Sequence, residues 1–192
     1  MAKKKTEKKS TKVYELKIWL KNIKPPIWRR FVVPSDMRLS MLHNVIQDVM
    51  GWMDSHLHSF MVGDKHYSQP DPDFDSYGDV QDESKAKLTD LVRKRKDRFM
   101  YEYDYGDGWE HVVEVVSVGP AEPGVKYPVC LAGKRACPPE DCGGPWGYGG
   151  LLEAMRNPDH PEHEEMLDWV GDQFDPEAFD LKRINWRIQM YH

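Results

Sequence analysis

From Val13 to Lys21 polar and apolar residues alternate. Tyr14, Leu16, Ile18 and Leu20 fall on one side and Glu15, Lys17, Trp19 and Lys21 on the other, which is the period of a half-buried strand. Pro25-Pro26 interrupts the run, and Ile27 to Val33 resumes it; so short a connection predicts an antiparallel partner. Ser40 is positioned as an N-cap for a helix with the stripe Leu42, Val45, Ile46, Val49 and Met50, closed by Gly51. A short strand is predicted over Leu57 to Val62. The polar stretch 63–87, broken by Pro70 and Pro72, reads as a long loop, followed by a short charged helix from Leu88 to Arg95.

The clearest hairpin joins Arg98–Tyr105, with Phe99, Tyr101, Tyr103 and Tyr105 on one face, to Trp109–Val118 through Gly106-Asp107-Gly108. Another strand is predicted at Tyr127–Leu131, then a loop from Ala132 to Gly144. Beyond it the pattern turns helical. Pro145 opens a stripe of Tyr148, Leu151, Leu152 and Met155; Asp159-His160-Pro161 opens one of Met166, Trp169 and Val170 that closes at Gly171; Asp175-Pro176 and Asp180 offer competing starts for a last segment through Ile184 and Ile188. Antiparallel strands and hairpins in the first two thirds with helices concentrated in the C-terminal third predict an α+β fold. The chain length suits one domain over residues 13–192, preceded by a Lys-rich disordered tail at 1–12.

Charge narrows the partners. Net charge is -5 overall, but Met1 to Lys12 carries six Lys against one Glu, so the remainder is far more acidic. An acidic body lacks the clustered Lys and Arg that hold phosphate backbones, which argues against nucleic acid as its partner. No long apolar run predicts a membrane span. Three cysteines, an odd number, read as reduced thiols in the cytoplasm.

Metal-capable residues gather at predicted strand ends and turns. His56 and His58, two apart, would share one side of a strand. His111 follows Trp109 on the hairpin, near Asp104 and Asp107, and the loop Cys137-Pro138-Pro139-Glu140-Asp141-Cys142 adds two thiols and two carboxylates. Zinc or another divalent metal takes such ligands. The structural alternative is a proline-stiffened loop in which Glu140 and Asp141 accept backbone N–H groups and the cysteines pack. A run of Asp71, Asp73, Asp75 and Asp82 echoes a calcium loop but has Ser76 where the glycine belongs and Asp82 where a bidentate Glu belongs. Phosphate-loop, nucleophile-elbow and zinc-protease signatures are missing.

Several stretches together resemble the plasmid pRiA ORF-3-like family, proteins encoded on plasmids, mobile elements and prokaryotic chromosomes. They are Leu20 to Arg30; Leu42, His43 and Trp52; His56-Leu57-His58-Ser59-Phe60; Tyr103 to His111 with its Asp104, Gly106, Asp107 and Trp109; and Ala136 to Gly144 with Gly147 and Tyr148. The resemblance runs from about Val13 to Ile188 and implies an α+β fold without an established activity. Its motif positions include His56, His58, Asp104, Asp107, His111, Cys137, Glu140 and Asp141. Two functions fit the residues. One is a cytoplasmic, non-catalytic binding or accessory module for a protein or small molecule, with a recognition surface made by the Gly106–Gly108 turn and the Cys137–Gly144 loop. The other is a metal-dependent hydrolase. In it His56, His58 or His111 with Asp107 or Cys137 holds the ion, Glu140 or Asp141 is the general base, and Asp104, Trp109 and Cys142 complete the pocket.

Overall fold

The computed structural model describes residues 12–70, 80–171 and 174–191. Strands β1 (Lys12–Leu20), β2 (Trp28–Pro34), β3 (His58–Val62), β4 (Lys65–Ser68), β5 (Val80–Asp82), β6 (Arg98–Tyr103), β7 (Trp109–Pro120) and β8 (Val129–Lys134) form an eight-stranded sheet in the order β5-β4-β3-β6-β7-β1-β2-β8. Every pairing is antiparallel except β4 with β5. The helices are α1 (Leu39–Met50), α2 (Leu88–Leu91), α3 (Gly144–Arg156), α4 (His163–Val170) and α5 (Leu181–Ile188). The architecture is α+β. Its 12-residue α1 lies in the first third, so helices are not confined to the C-terminal third.

Period-2 alternation places Tyr14, Leu16, Ile18 and Leu20 of β1, Phe31 and Val33 of β2, Phe99, Tyr101 and Tyr103 of β6, and Val113 and Val115 of β7 on one buried face. The apolar stripe Leu39, Leu42, Val45, Ile46 and Val49 of α1 joins them in one core cluster. Arg29 ties three elements together from inside: Nε donates to Val49 O at 2.6 Å and Nη2 to Met50 O at 3.4 Å at the C-terminus of α1, while Nη1 reaches Lys134 O at 3.0 Å in β8. A buried guanidinium here satisfies carbonyls that the helix end leaves open. On β8, an edge strand, the Asn185 amide of α5 accepts from Cys130 N at 2.8 Å and donates to Cys130 O at 3.0 Å, standing in for a neighbouring strand.

Local readings of the sequence need several corrections. Helix α1 starts at Leu39 with Arg38 at its N-cap, so Ser40 lies within it. Stretch 63–87 is not a plain loop: β4 and β5 lie in it, and Lys87 bridges to Arg38. A local reading has no access to the parallel β4–β5 pairing. Helix α2 ends at Leu91 rather than Arg95. Tyr105 lies past the end of β6 and is exposed, unlike Phe99, Tyr101 and Tyr103. Asp180 is the N-cap of α5, its side chain accepting from Arg183 N at 2.9 Å. Most of the tail and residues 71–79, with most of the calcium-loop echo, lie outside the described residues; Lys12 already belongs to β1.

Candidate metal centre

The segment between α1 and β3 carries His56, and side chains from three elements fix its backbone. Met53 N donates to Glu140 Oε1 at 3.0 Å, Asp54 N to Gln47 Oε1 at 3.0 Å, and Ser55 N to Tyr103 Oη at 2.9 Å. Tyr103 in turn donates its hydroxyl to Glu140 Oε1 at 3.0 Å. Burial, with Glu140 close by, keeps that phenol protonated far above its usual range.

Two further loops meet this segment. Asp104, at φ 58°, uses Oδ1 to accept from Gly106 N at 3.0 Å and Asp107 N at 3.2 Å, shaping the hairpin turn. Its other oxygen, Oδ2, stands 3.6 Å from His56 Nε2. Asp107 Oδ2 accepts from Gly143 N at 3.1 Å, fastening the turn to the loop that carries Glu140 and Asp141. From that loop, Asp141 Oδ1 stands 3.1 Å and Glu140 Oε2 3.9 Å from His56 Nε2.

His56 Nε2 is therefore faced by three carboxylates. Asp104 and Glu140 stand beyond hydrogen-bonding distance and Asp141, though near enough, makes no hydrogen bond to the ring, so His56 Nε2 and Glu140 Oε2 are both buried atoms without a hydrogen-bond partner. Such atoms carry a desolvation penalty unless something else satisfies them. Donors sharing an ion at about 2.0–2.2 Å stand roughly 3–3.6 Å apart, which matches the separations of His56 Nε2 from Asp104 and Asp141, and the three ligand atoms all lie within 4.8 Å of one another. One imidazole with carboxylates suits Mn²⁺ or Zn²⁺ better than a thiolate-seeking ion.

A second polar group lies alongside. His43 Nε2 is 2.7 Å from Asp54 Oδ1, His58 Nε2 is 2.7 Å from Glu83 Oε2, and the two imidazoles are stacked. This second group lines a cleft of about 700 Å³, which His56 reaches but Asp104, Glu140 and Asp141 do not.

Comparison with known proteins agrees with the fold. Residues 12–183 match the model of the plasmid pRiA4b ORF-3-like proteins. The chain belongs to that family. It is 38% identical over 174 residues to the uncharacterized protein y4hQ of Sinorhizobium fredii, covering 90% of this chain and 89% of the relative. A crystal structure of MM3350, a protein of unknown function from Methanosarcina mazei Go1, shares 42% identity and superposes with a TM-score of 0.81 over 90% of this chain and 97% of that one.

In this member of the pRiA4b ORF-3-like family the residues expected at one site are divided. His56, Asp104, Glu140 and Asp141 come together. His58 is not part of that cluster: β3 begins at His58 and leaves His56 in the preceding loop, and His58 Nε2 meets Glu83 instead. His111 is fully buried, with Nδ1 3.1 Å from Tyr101 O, and burial lowers its pKa to about 4. Trp109, also fully buried, packs on Trp52 with ring centroids 6.0 Å apart rather than lining a pocket. Asp107 holds the loops together. Cys137 is buried in the core, and Cys142 packs against it. Burial raises the pKa of both thiols, Cys142 to about 12, and among the described residues neither cysteine joins a ligand group. Sequence reasoning missed Asp54, Gln47 and Glu83. His43 and Gln47 are four apart on α1, a spacing that puts both on one side of the helix and could have flagged them as partners of a common group.

Proposed function

We propose that the protein works through a bound divalent transition-metal ion, held by His56, Asp104 and Asp141 with the Glu140 carboxylate beside it. The observation that carries this reading is the pair of buried, unpartnered atoms His56 Nε2 and Glu140 Oε2 set among two further carboxylate oxygens. Without a cation, three carboxylates would repel one another in a partly buried site. With one, Asp104 Oδ2, left free by the hydrogen bonds to Oδ1, becomes a ligand beside Asp141 Oδ1. Those anchoring hydrogen bonds fix ligand direction, as partners of metal ligands generally do. The turn and loop that the sequence suggests as a recognition surface are both part of this centre, so the reading absorbs the binding-module alternative. Ligands from a histidine loop, a hairpin turn and a proline-stiffened loop converge only in the folded chain, so binding stabilises the fold.

The test is metal analysis of protein prepared without a polyhistidine tag or chelator, followed by calorimetric titration with Mn²⁺ and Zn²⁺. Wild type is expected to take up about one ion per chain, and His56→Ala and Asp104→Asn to lose it. Equal uptake by wild type and both variants would end the proposal.

A further inference from the structure

Beyond the cation centre, we infer that the hollow between the C-terminal end of α1, the 136–140 loop and α5 binds a small organic monoanion. The ligand class is an aromatic or aliphatic carboxylate or sulfonate, its charged group met by Arg29 and Arg183 and its apolar body by the surrounding walls. The inference stands or falls apart from the cation.

The hollow measures about 490 Å³, within the range of about 300–1,000 Å³ typical of small-molecule sites. Most of its lining is apolar, with Met50, Trp52, Pro138, Val170, Phe179 and Ile184 among the walls. Such sites hold a ligand's body by burial and fix its direction through a few polar groups.

Arg29 borders the hollow and is 2% exposed, yet among the described residues no carboxylate pairs with it. Its partners are carbonyls: Nε donates to Val49 O, Nη1 to Trp28 O and Lys134 O, and Nη2 to Met50 O. A guanidinium has two N–H donors on each terminal nitrogen and one on Nε, so one N–H on Nη2 is left over. Buried charges are ordinarily paired, because carbonyl dipoles alone repay only part of the loss of water. An anion in the hollow supplies the missing counter-charge. The Phe179 ring, 5.1 Å from the guanidinium carbon, lies against the same group.

Helix α5 brings the second cation. Arg183 and Arg187, four apart, lie on one side of that helix and both line the hollow. Arg187 is committed: its Nε meets Asp48 Oδ1 at 2.7 Å and its Nη2 reaches Trp52 O at 3.4 Å. The Arg183 side chain is exposed and makes no hydrogen bond or ion pair among the described residues. The other lining carboxylates are occupied, Asp180 Oδ1 accepting from Arg183 N at 2.9 Å and Glu140 Oε1 from Met53 N and Tyr103 Oη at 3.0 Å. Their charges oppose a second negative charge on the ligand, which selects a monoanion over a phosphate dianion.

The experiment titrates the full chain with two fluorescent probes of similar ring structure, the anion 8-anilinonaphthalene-1-sulfonate and the neutral N-phenyl-1-naphthylamine. Wild type is expected to bind about one molecule of the sulfonate per chain. Arg183→Gln should weaken the sulfonate about tenfold and Arg183→Glu further, the loss of one charge-assisted contact, while both variants hold the neutral probe within about threefold of wild type. Arg183 is exposed, so both variants should melt at the wild-type Tm. In competition, 1-naphthalenesulfonate should displace the bound sulfonate probe at lower concentration than 1-naphthyl phosphate. No sulfonate binding, sulfonate binding unchanged in Arg183→Glu, an equal loss of both probes, or stronger competition by the phosphate each overturns the inference. None of these outcomes bears on the cation centre, which the His56→Ala and Asp104→Asn titrations decide separately.

Discussion

The imidazoles of His43 and His58 lie face to face, their centroids 3.4 Å apart and their planes 8° from parallel. Parallel rings confine their in-plane lone pairs to separate, nearly parallel planes, so the two nitrogens do not both aim at one ion. Hydrogen bonding adds a second argument. Asp54 N donates to Gln47 Oε1, which leaves Gln47 Nε2 to donate to Tyr101 Oη at 3.0 Å. Tyr101 then gives its hydroxyl proton to His43 Nδ1 at 2.8 Å, and His43 donates Nε2–H to Asp54. Burial and the neighbouring His58 hold the His43 pKa down, in keeping with a neutral ring. The group therefore braces the loop that carries His56. Accordingly, His58→Gln should leave Mn²⁺ or Zn²⁺ affinity within about threefold of wild type, a change worth well under 1.4 kcal/mol, whereas His56→Ala should abolish binding. Parallel calorimetric titrations distinguish the two groups.

The His58–Glu83 contact should matter for stability instead. Both side chains are 7% exposed and meet at 2.7 Å. Removing one partner of a buried pair leaves the other desolvated without compensation, a loss of about 3–5 kcal/mol. Urea denaturation of His58→Ala, Glu83→Ala and the double variant is expected to show a double-variant loss smaller than the sum of the two singles by more than about 1 kcal/mol. Simple additivity would mean the contact is energetically idle.

How far this could be read from the sequence depends on range. Tyr14 to Leu20, the Leu42 to Met50 stripe and the Phe99 to Tyr103 face announce themselves because strand and helix periods are local and their apolar sides are buried. The same period misplaces His56: the strand begins only at His58, and the loop before it sends His56 to Asp104 and Asp141 while His58 goes to Glu83. Residue type identified Glu140 and Asp141 as chemical groups, but their meeting with His56 depends on a contact between the hairpin turn and the 137–144 loop that leaves no periodic trace. Cys137 and His111 carry ligand-capable atoms and are used as core, because burial is decided by the sheet face on which they land.

That contact between turn and loop can be tested at one atom. Gly144 has φ +68°, and a Cβ there would stand 2.2 Å from the carbonyl oxygen of Asp107. Left-handed backbone strains any other residue by about 1–3 kcal/mol, and the clash is with main chain that cannot rotate away. Gly144→Ala should lower Tm and weaken ion binding, since it forces Asp104's turn away from the Glu140–Asp141 loop. Gly149, within the same helix α3, has nothing within 4 Å of its Cβ position, and Gly149→Ala should be neutral or stabilising by about 0.5–1 kcal/mol. Thermal melts with and without Zn²⁺ give both readings.

Acid should destabilise the fold partly through His111. Its ordinary pKa is 6.5 and burial lowers it to about 4, so between these values the unfolded chain binds a proton that the folded chain excludes. Stability from this group is complete above about pH 6.5, declines as pH falls toward 4 and is exhausted below it, with a total of order 3 kcal/mol at most. His43, also lowered by burial, acts in the same direction and will remain in a His111 variant. His111→Gln retains a side-chain donor for Tyr101 O but cannot titrate. Urea midpoints measured from pH 7.5 to 4 should therefore fall less steeply for His111→Gln than for wild type, even if the variant is less stable at pH 7.5. Parallel curves for the two proteins would show that His111 takes up its proton equally well in the folded and unfolded chain, and that its burial does not govern the acid limb.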